Sequence, residues 1–229
     1  MITVKNLSKH FGGIKAVDCV DLHINKGSIT GLVGPNGAGK TTMFNLIAGL
    51  YQPTEGEIIL DGEDVTDLTS HQLFHKGLLR TFQIAHEFPT LSVLENLMMV
   101  PANQLGEDLM NTWFKRRQIQ EEERILQVKA EEVIDFLSIS HLKNERAGNL
   151  SGGQKKLLEL ARTMMVDAKV VLLDEVGAGV NRTLLKQIGD AILRLNSERG
   201  YTFCMIAVSY THLRAHETEA DLVCRLLLE

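Results

Sequence analysis

The nine-residue stretch GPNGAGKTT, at positions 34–42, constrains the fold of this chain more than any other feature. It satisfies the pattern G-x-x-x-x-G-K-S/T, follows the apolar segment ITGLV and opens the segment KTTMFNLIAGL, which is predicted to be a helix. A strand, a glycine-rich loop and a helix in this order form a phosphate-binding loop. Glycines let backbone N–H groups turn toward phosphate oxygens, and the helix N-terminus adds partial positive charge.

The loop also supplies two side chains for nucleotide chemistry. Lys40 can reach the β- and γ-phosphates, and the Thr41 hydroxyl can bind Mg²⁺. The residues expected to contact ATP in this loop are Gly34, Pro35, Asn36, Gly37, Ala38, Gly39, Lys40, Thr41 and Thr42.

An acidic pair complements the loop. The apolar run VVLL at 170–173 predicts a buried strand that ends at Asp174 and Glu175. Ligands of open α/β sheets bind at the carboxyl ends of the strands. We therefore expect Asp174 to support Mg²⁺ and Glu175 to orient or deprotonate the attacking water as a catalytic residue, together with Lys40.

A second glycine-rich sequence, LSGGQ at 150–154, also precedes a predicted helix. Its hydroxyl and unhindered backbone N–H groups predict another anion-binding helix N-terminus. Two phosphate-seeking loops in one chain are expected if two chains pair head-to-tail and each completes the other's site. The residues concerned are Ser151, Gly152, Gly153 and Gln154.

Strands and helices alternate at both ends of the chain, which predicts an α/β fold with a mainly parallel sheet and antiparallel strands near the N-terminus. The middle differs, because Ser92 and Glu95 have capping-box spacing and residues 113–137 form one long charged segment with helical periodicity. This part predicts an inserted helical lobe. The predicted boundaries are 1–88 and 159–206 for the ATPase lobe and 89–158 for the helical subdomain.

The order GPNGAGKTT, RTFQ, LSGGQ, LLDE resembles that of the ATP-binding cassette (ABC) ATPases, over about residues 2–206. The resemblance implies a P-loop NTPase fold with a RecA-like lobe, ATP and Mg²⁺ as ligands, and an ATP-sandwich dimer. It also implies that Phe11 stacks on adenine, although a plain core phenylalanine is the alternative. Gln83 is implied to touch Mg²⁺ and the catalytic water, and the LSGGQ residues to contact the partner's γ-phosphate.

Several segments, among them HFGGIKAV, SVLENLMM and the charged insertion, look like those of branched-chain amino acid importers. That resemblance implies a subunit on the cytoplasmic face of the plasma membrane, paired with a second ABC ATPase, identical or different. Its further partners would be transmembrane permease subunits and, indirectly, a periplasmic solute-binding protein. A lipopolysaccharide-export ATPase is the alternative. The net charge of −5 gives no electrostatic case for nucleic-acid binding, and no apolar run approaches the length of a membrane span.

The last residues of the chain depart from this pattern. The resemblance implies an acidic residue and a histidine after the strand TFCMI, but Ala207 and Val208 stand there. VSYTHLRAHET is the translation of a transposase-end adapter used for sequencing libraries, and LVCRLLLE matches the flow-cell primer region. Residues 207–229 are therefore predicted to be a non-native tail on a C-terminally truncated ATPase with impaired hydrolysis. The alternatives are a divergent C-terminal helix and a nucleotide-binding relative that does not hydrolyse ATP.

Overall fold

The computed structural model of the chain describes residues 1–81, 87–166, 168–174, 180–207 and 224–225. These residues form two compact units. The first contains 1–81, 168–174, 192–207 and 224–225, and the second contains 87–166 and 180–191.

The first unit holds two sheets. Their strands are β1 (Ile2–Phe11), β2 (Ile14–Ile24), β3 (Ile29–Val33), β4 (Glu55–Leu60), β5 (Glu63–Asp64), β6 (Leu78–Arg80), β7 (Val170–Leu173), β8 (Thr202–Ala207) and β9 (Cys224–Arg225). The antiparallel sheet has the order β2-β1-β4-β5, and Asp61-Gly62 makes the turn between β4 and β5. The second sheet has the order β6-β7-β8-β3-β9, and its neighbouring strands pair in parallel. The predicted fold class is confirmed in both respects.

The α-helices among the described residues are α1 (Lys40–Ile47), α2 (Ser70–His75), α3 (Val93–Met98), α4 (Leu109–Phe114), α5 (Arg116–Phe136), α6 (Gly152–Met165) and α7 (Arg182–Arg199). Helix α1 ends before Gly49, which takes a φ of 67° just beyond it. Sequence analysis did not identify α2, which is short and begins with a capping box of Thr69 and Gln72.

Most residues of the central strands β3, β7 and β8 are buried. All four residues of β7 are buried, as the run VVLL predicts for a central strand. The core of the first unit joins β1, β2, β4 and the buried face of α1, with Phe44 wholly inaccessible to solvent. Strands β3 and β7 flank β8 in this sheet, so their carboxyl ends lie at the same edge.

Helices dominate the second unit. The predicted capping box is present at α3, where the backbone N–H and the hydroxyl of Ser92 donate to Glu95 at 2.8 Å each and lower the pKa of its carboxyl. The charged segment is not one helix, because the backbone breaks at Lys115, between α4 and α5. Long α5 buries only a narrow stripe of Ala130, Val133 and Ile134.

The structure does not support the alternative of a C-terminal helix at the two tail residues that it describes beyond Ala207. Residues 224–225 are a short strand that pairs with β3 in parallel, whereas the alternative assigned a helix to this segment. Backbone hydrogen bonding along a sheet edge does not depend on side-chain identity. Two paired residues therefore do not require a sequence selected for this fold.

Candidate functional site

The phosphate-binding loop connects β3 to α1, as the sequence pattern predicts. Lys40, the first residue of α1, has only 7% of its surface exposed. Its ammonium group donates to the carbonyl oxygens of Gly34 and Pro35 at 2.8 and 2.7 Å. The loop thus folds around the lysine and fixes the position of its positive charge.

Two loop glycines occupy left-handed backbone conformations for different reasons. Gly37 has a φ of 86°, and a Cβ added to it would meet nothing within 4 Å. Gly39 has a φ of 75°, and a Cβ there would lie 2.2 Å from the carbonyl oxygen of Ala16. Gly37 is thus required by backbone conformation alone, whereas Gly39 is required also by close packing against β2.

The N-terminus of α1 has no side-chain cap within the described residues, and Gly39 is its N-cap residue. The first N–H groups of a helix have no partner inside the helix and are normally satisfied by a side chain, water or a ligand. An exposed loop, an uncapped helix start and a fixed ammonium group together form a site for phosphate.

Asp174 follows β7 directly, and its carboxylate is 1% exposed. Its Oδ2 accepts a hydrogen bond at 2.9 Å from the Arg80 guanidinium. Its Oδ1 is buried and has no hydrogen-bond partner among the residues that the structure describes. A buried carboxylate oxygen without a partner fits a ligand of Mg²⁺ or of its bound water, because Mg²⁺ prefers oxygen ligands and keeps several waters.

Phe11, at the end of β1, is not the core residue that the alternative supposed. Its side chain is 43% exposed, and its ring meets that of Tyr51 edge-on with centroids 5.5 Å apart. The ammonium group of Lys9 lies 5.3 Å from the ring centroid. An exposed ring held by neighbours is suited to stacking against a base, which is worth roughly 1–3 kcal/mol.

The LSGGQ sequence opens α6 in the second unit, as predicted. The Ser151 hydroxyl accepts from the N–H of Gln154, and the Gln154 side chain accepts from the N–H of Ser151 at 2.9 Å. Ser151 and Gly152 are exposed, and a Cβ at Gly152 would meet nothing within 4 Å. Gly153 is buried, and a Cβ there would lie 2.5 Å from a methyl group of Leu184.

Not every predicted site residue can be placed. Gln83 and Glu175 lie outside the described residues, so their roles stay predictions. Within the first unit, Asp174 follows β7, and Lys40 begins the helix that follows the phosphate-binding loop after β3. The side chain of Arg80 connects the two elements, because it donates to Asp174 and to Asn45 on that helix. Sequence analysis missed Arg80, Asn45 and Tyr51. The only signal for Arg80 was its place in RTFQ, and nothing in the sequence marked the other two.

Comparisons with known proteins agree with this geometry. A family model described as "ABC transporter" matches residues 17–178. A probable branched-chain amino acid transport ATP-binding protein, LivG, from Archaeoglobus fulgidus is 41% identical over 206 residues, covering 90% of this chain and 79% of the relative. The high-affinity branched-chain amino acid transport ATP-binding protein BraF from Pseudomonas aeruginosa is 35% identical, covering 90% and 81%.

Solved structures show the same similarity. A nucleotide-free ATP-binding cassette from an ABC transporter superposes with a TM-score of 0.80 at 35% identity, covering 96% of this chain and 85% of the other. A dimeric, post-hydrolysis cassette bound to ADP and Pi superposes with a TM-score of 0.74 at 26% identity, covering 98% and 97%.

Proposed function

The chain belongs to the ABC transporter family as an ATPase subunit, and from this premise we propose that it powers a membrane importer of branched-chain amino acids. The observation that supports ATP binding is the presence, in one unit, of a loop folded around buried Lys40 and of Asp174, whose Oδ1 has no partner among the described residues. The solute assignment is supported by the relatives, whose names specify branched-chain amino acid transport. They favour this assignment over lipopolysaccharide export.

In this proposal each part of the first unit has a defined task in ATP hydrolysis. Phe11 stacks on adenine, the loop N–H groups and Lys40 hold the phosphates, and Glu175 orients the attacking water or takes its proton. Thr41, Asp174 and Gln83 would hold Mg²⁺, which neutralises charge on the phosphates when bound. Phosphoryl transfer needs mainly positioning and charge stabilisation, and preformed groups supply both.

The second unit would serve the partner subunit rather than its own chain. The exposed Ser151 and the open space at Gly152 leave the start of α6 accessible to a γ-phosphate held by another ATPase subunit, identical or different. Head-to-tail pairing is supported by the dimeric state of a structural neighbour. The proposed import further requires transmembrane permease subunits as direct partners and a periplasmic solute-binding protein as an indirect one.

Attachment to the membrane would then depend on those permease subunits. In the part of the chain that the structure describes, no helix combines the length and apolar character needed to cross a membrane. We propose a peripheral position on the cytoplasmic face of the plasma membrane, where the ATPase meets cellular ATP.

The proposed function is tested by uptake in proteoliposomes that contain the chain with its natural C-terminus restored, the permease subunits of a branched-chain amino acid importer and its solute-binding protein. We expect uptake of radiolabelled leucine that requires enclosed ATP and is abolished by Lys40→Ala, because this change removes the fixed charge at the phosphates. ATP-dependent transport of a different solute class, with no stimulation by leucine, isoleucine or valine, would refute the solute assignment and leave the ATPase assignment intact.

For the tail we propose that residues 207–229 are encoded by library adapter. The Ala207 codon is where the adapter translation begins, and the curated relatives align over 206 residues. Resequencing the source DNA with a library built without this adapter tests the proposal. A frame that continues into Glu-His-Asp supports it and predicts that the restored chain hydrolyses ATP faster. A frame that still encodes VSYTHLRAHET contradicts it.

A further inference from the structure

The end of strand β6 carries a side chain to which none of the motifs assigns a role. Arg80 is the last residue of β6, and its side chain is 9% exposed. One terminal nitrogen of its guanidinium donates to Asp174 at 2.9 Å, and the other donates to the side-chain oxygen of Asn45 on α1. One buried guanidinium therefore connects the ends of β6 and β7 to the helix that follows the phosphate loop.

This arrangement divides the two oxygens of Asp174 between different tasks. Oδ2 is held by Arg80, while Oδ1 is buried without a partner among the described residues. A carboxylate held through one oxygen by a buried, planar donor has little freedom to rotate, so the direction of its other oxygen is set. Outer groups that orient a metal-binding carboxylate act in this way.

The contact with Asn45 attaches the ion pair of Arg80 and Asp174 to helix α1. Asn45 lies on α1, the helix that begins with Lys40 and Thr41. Its carbonyl oxygen also accepts backbone hydrogen bonds from Leu50 and Tyr51 at 2.8 and 3.2 Å, which secure the end of that helix. Arg80 is thereby tied to a rigid element that carries the phosphate-binding groups.

We propose that Arg80 is a positioning residue for the magnesium–nucleotide site. Through Oδ2 it orients Asp174 so that Oδ1 stays available to Mg²⁺ or to a water bound to it. Through Asn45 it keeps that carboxylate at a fixed position relative to Lys40 and Thr41. This inference builds on the proposed ATP-binding function and adds a role for a residue that contacts neither nucleotide nor metal.

Lysine cannot replace arginine in this role. The guanidinium presents two terminal nitrogens in a rigid fork, and here each serves a different partner. An ammonium group keeps the charge but concentrates its donors on one nitrogen at the end of a flexible chain. Arg80→Lys therefore preserves charge and loses the double contact, while Asn45→Ala preserves the ion pair and loses only the tie to α1.

The test measures ADP affinity by calorimetry for the full chain, once with excess Mg²⁺ and once with EDTA. For Arg80→Lys we expect a loss of about 10–100-fold in affinity with Mg²⁺, the effect usual for an orienting group, and less than about threefold with EDTA. Asn45→Ala should lose less, again only with Mg²⁺. Lys76→Gln, which breaks the exposed ion pair with Glu63 in the same unit, is the matched control and should change neither affinity.

Melting of each ligand-free variant is recorded first, and Asn45→Ala provides the decisive comparison if Arg80→Lys does not fold. Equal losses with and without Mg²⁺ would show a purely structural role and overturn the inference, as would unchanged affinity in both variants. A wild-type chain that binds no ADP under either condition would contradict the proposed function itself, and the role of Arg80 would fall with it.

Discussion

The two glycine-rich helix starts of this chain look alike in sequence but differ in how their N-termini are satisfied. At α6 the chain caps itself, since Ser151 and Gln154 exchange hydrogen bonds in a capping box. At α1 the N-cap residue is Gly39, and no side chain among the described residues caps the helix. Charge differs as well, because Lys40 is enclosed by carbonyl oxygens at the first site.

Because of this difference, the stability of the two helix starts depends on a bound anion to different degrees. A capped helix start needs no anion for its stability, so α6 can present exposed groups to a partner without depending on it. An uncapped start with a fixed ammonium group gains more from a bound phosphate. In the proposed function the first loop is therefore the binding site, and the second is a stable surface that would complete the site of a partner subunit.

The largest effect that would sharpen this comparison is expected for Gly39→Ala. The new Cβ would collide with the carbonyl oxygen of Ala16 at 2.2 Å, and φ is 75°. Overpacking and left-handed strain each cost roughly 1–3 kcal/mol, so the free energy of unfolding should fall by about 2–6 kcal/mol in urea titration. Nucleotide binding should be lost as the loop shifts.

Gly37→Ala is the matched control, because the same strain occurs there without a collision. Its stability should fall by roughly 1–2 kcal/mol, the cost of a left-handed alanine. If both variants were equally stable, the loop would have to move away from β2 freely, and the rigid phosphate site described above would be wrong.

This pair of glycines also shows what the sequence could predict. The pattern around GPNGAGKTT predicted the strand, the loop, the helix and Lys40, because local backbone chemistry determines them. It could not separate Gly37 from Gly39, since that distinction depends on Ala16 in another strand. Arg80 was missed for the same reason: its contact with Asp174 spans 94 positions and appears only when β6 pairs with β7.

The break at Lys115 illustrates a second limit. The segment 113–137 has continuous helical periodicity, yet α4 and α5 are separate helices. Ile125 lies at the helical spacing of the apolar residues but is 57% exposed, whereas Val133 and Ile134 are buried. Periodicity therefore predicts that a segment is helical, but it does not predict where the helix breaks or which of its apolar residues are buried.

The next effect concerns the second loop. Gly153→Ala would bring a Cβ to 2.5 Å from a Leu184 methyl group and 3.1 Å from one of Val180. Because both contacts are ends of side chains that can adjust, we expect a loss of roughly 1–3 kcal/mol, measured by urea unfolding. The loss should be smaller than for Gly39→Ala, where the obstacle is backbone. The reverse order would indicate that the second loop, rather than the first, is the rigid one.

Ser151→Ala tests whether α6 caps itself. Removing the hydroxyl leaves the N–H of Gln154 without its acceptor, which typically costs about 1 kcal/mol of stability. The corresponding measurement is a thermal melt of the ligand-free chain, with Ser151→Asp as the control, since aspartate is an equally good N-cap. A melting temperature unchanged by alanine would mean that water satisfies this helix start and that the two loops are alike after all.

The smallest effect on stability, and the sharpest separation of stability from function, is expected for Gly152→Ala. This position has open space around it, so the free energy of unfolding should change by less than about 0.5 kcal/mol.

The added methyl group nevertheless stands on the exposed helix start that, in the proposed function, approaches the partner's nucleotide. Light scattering with Mg²⁺ and ATP, in a Glu175→Gln background that slows hydrolysis, should show weaker ATP-dependent pairing than the background alone. Unchanged pairing would mean that the space at Gly152 is not where a partner binds, and the second loop would then be only a well-capped helix start.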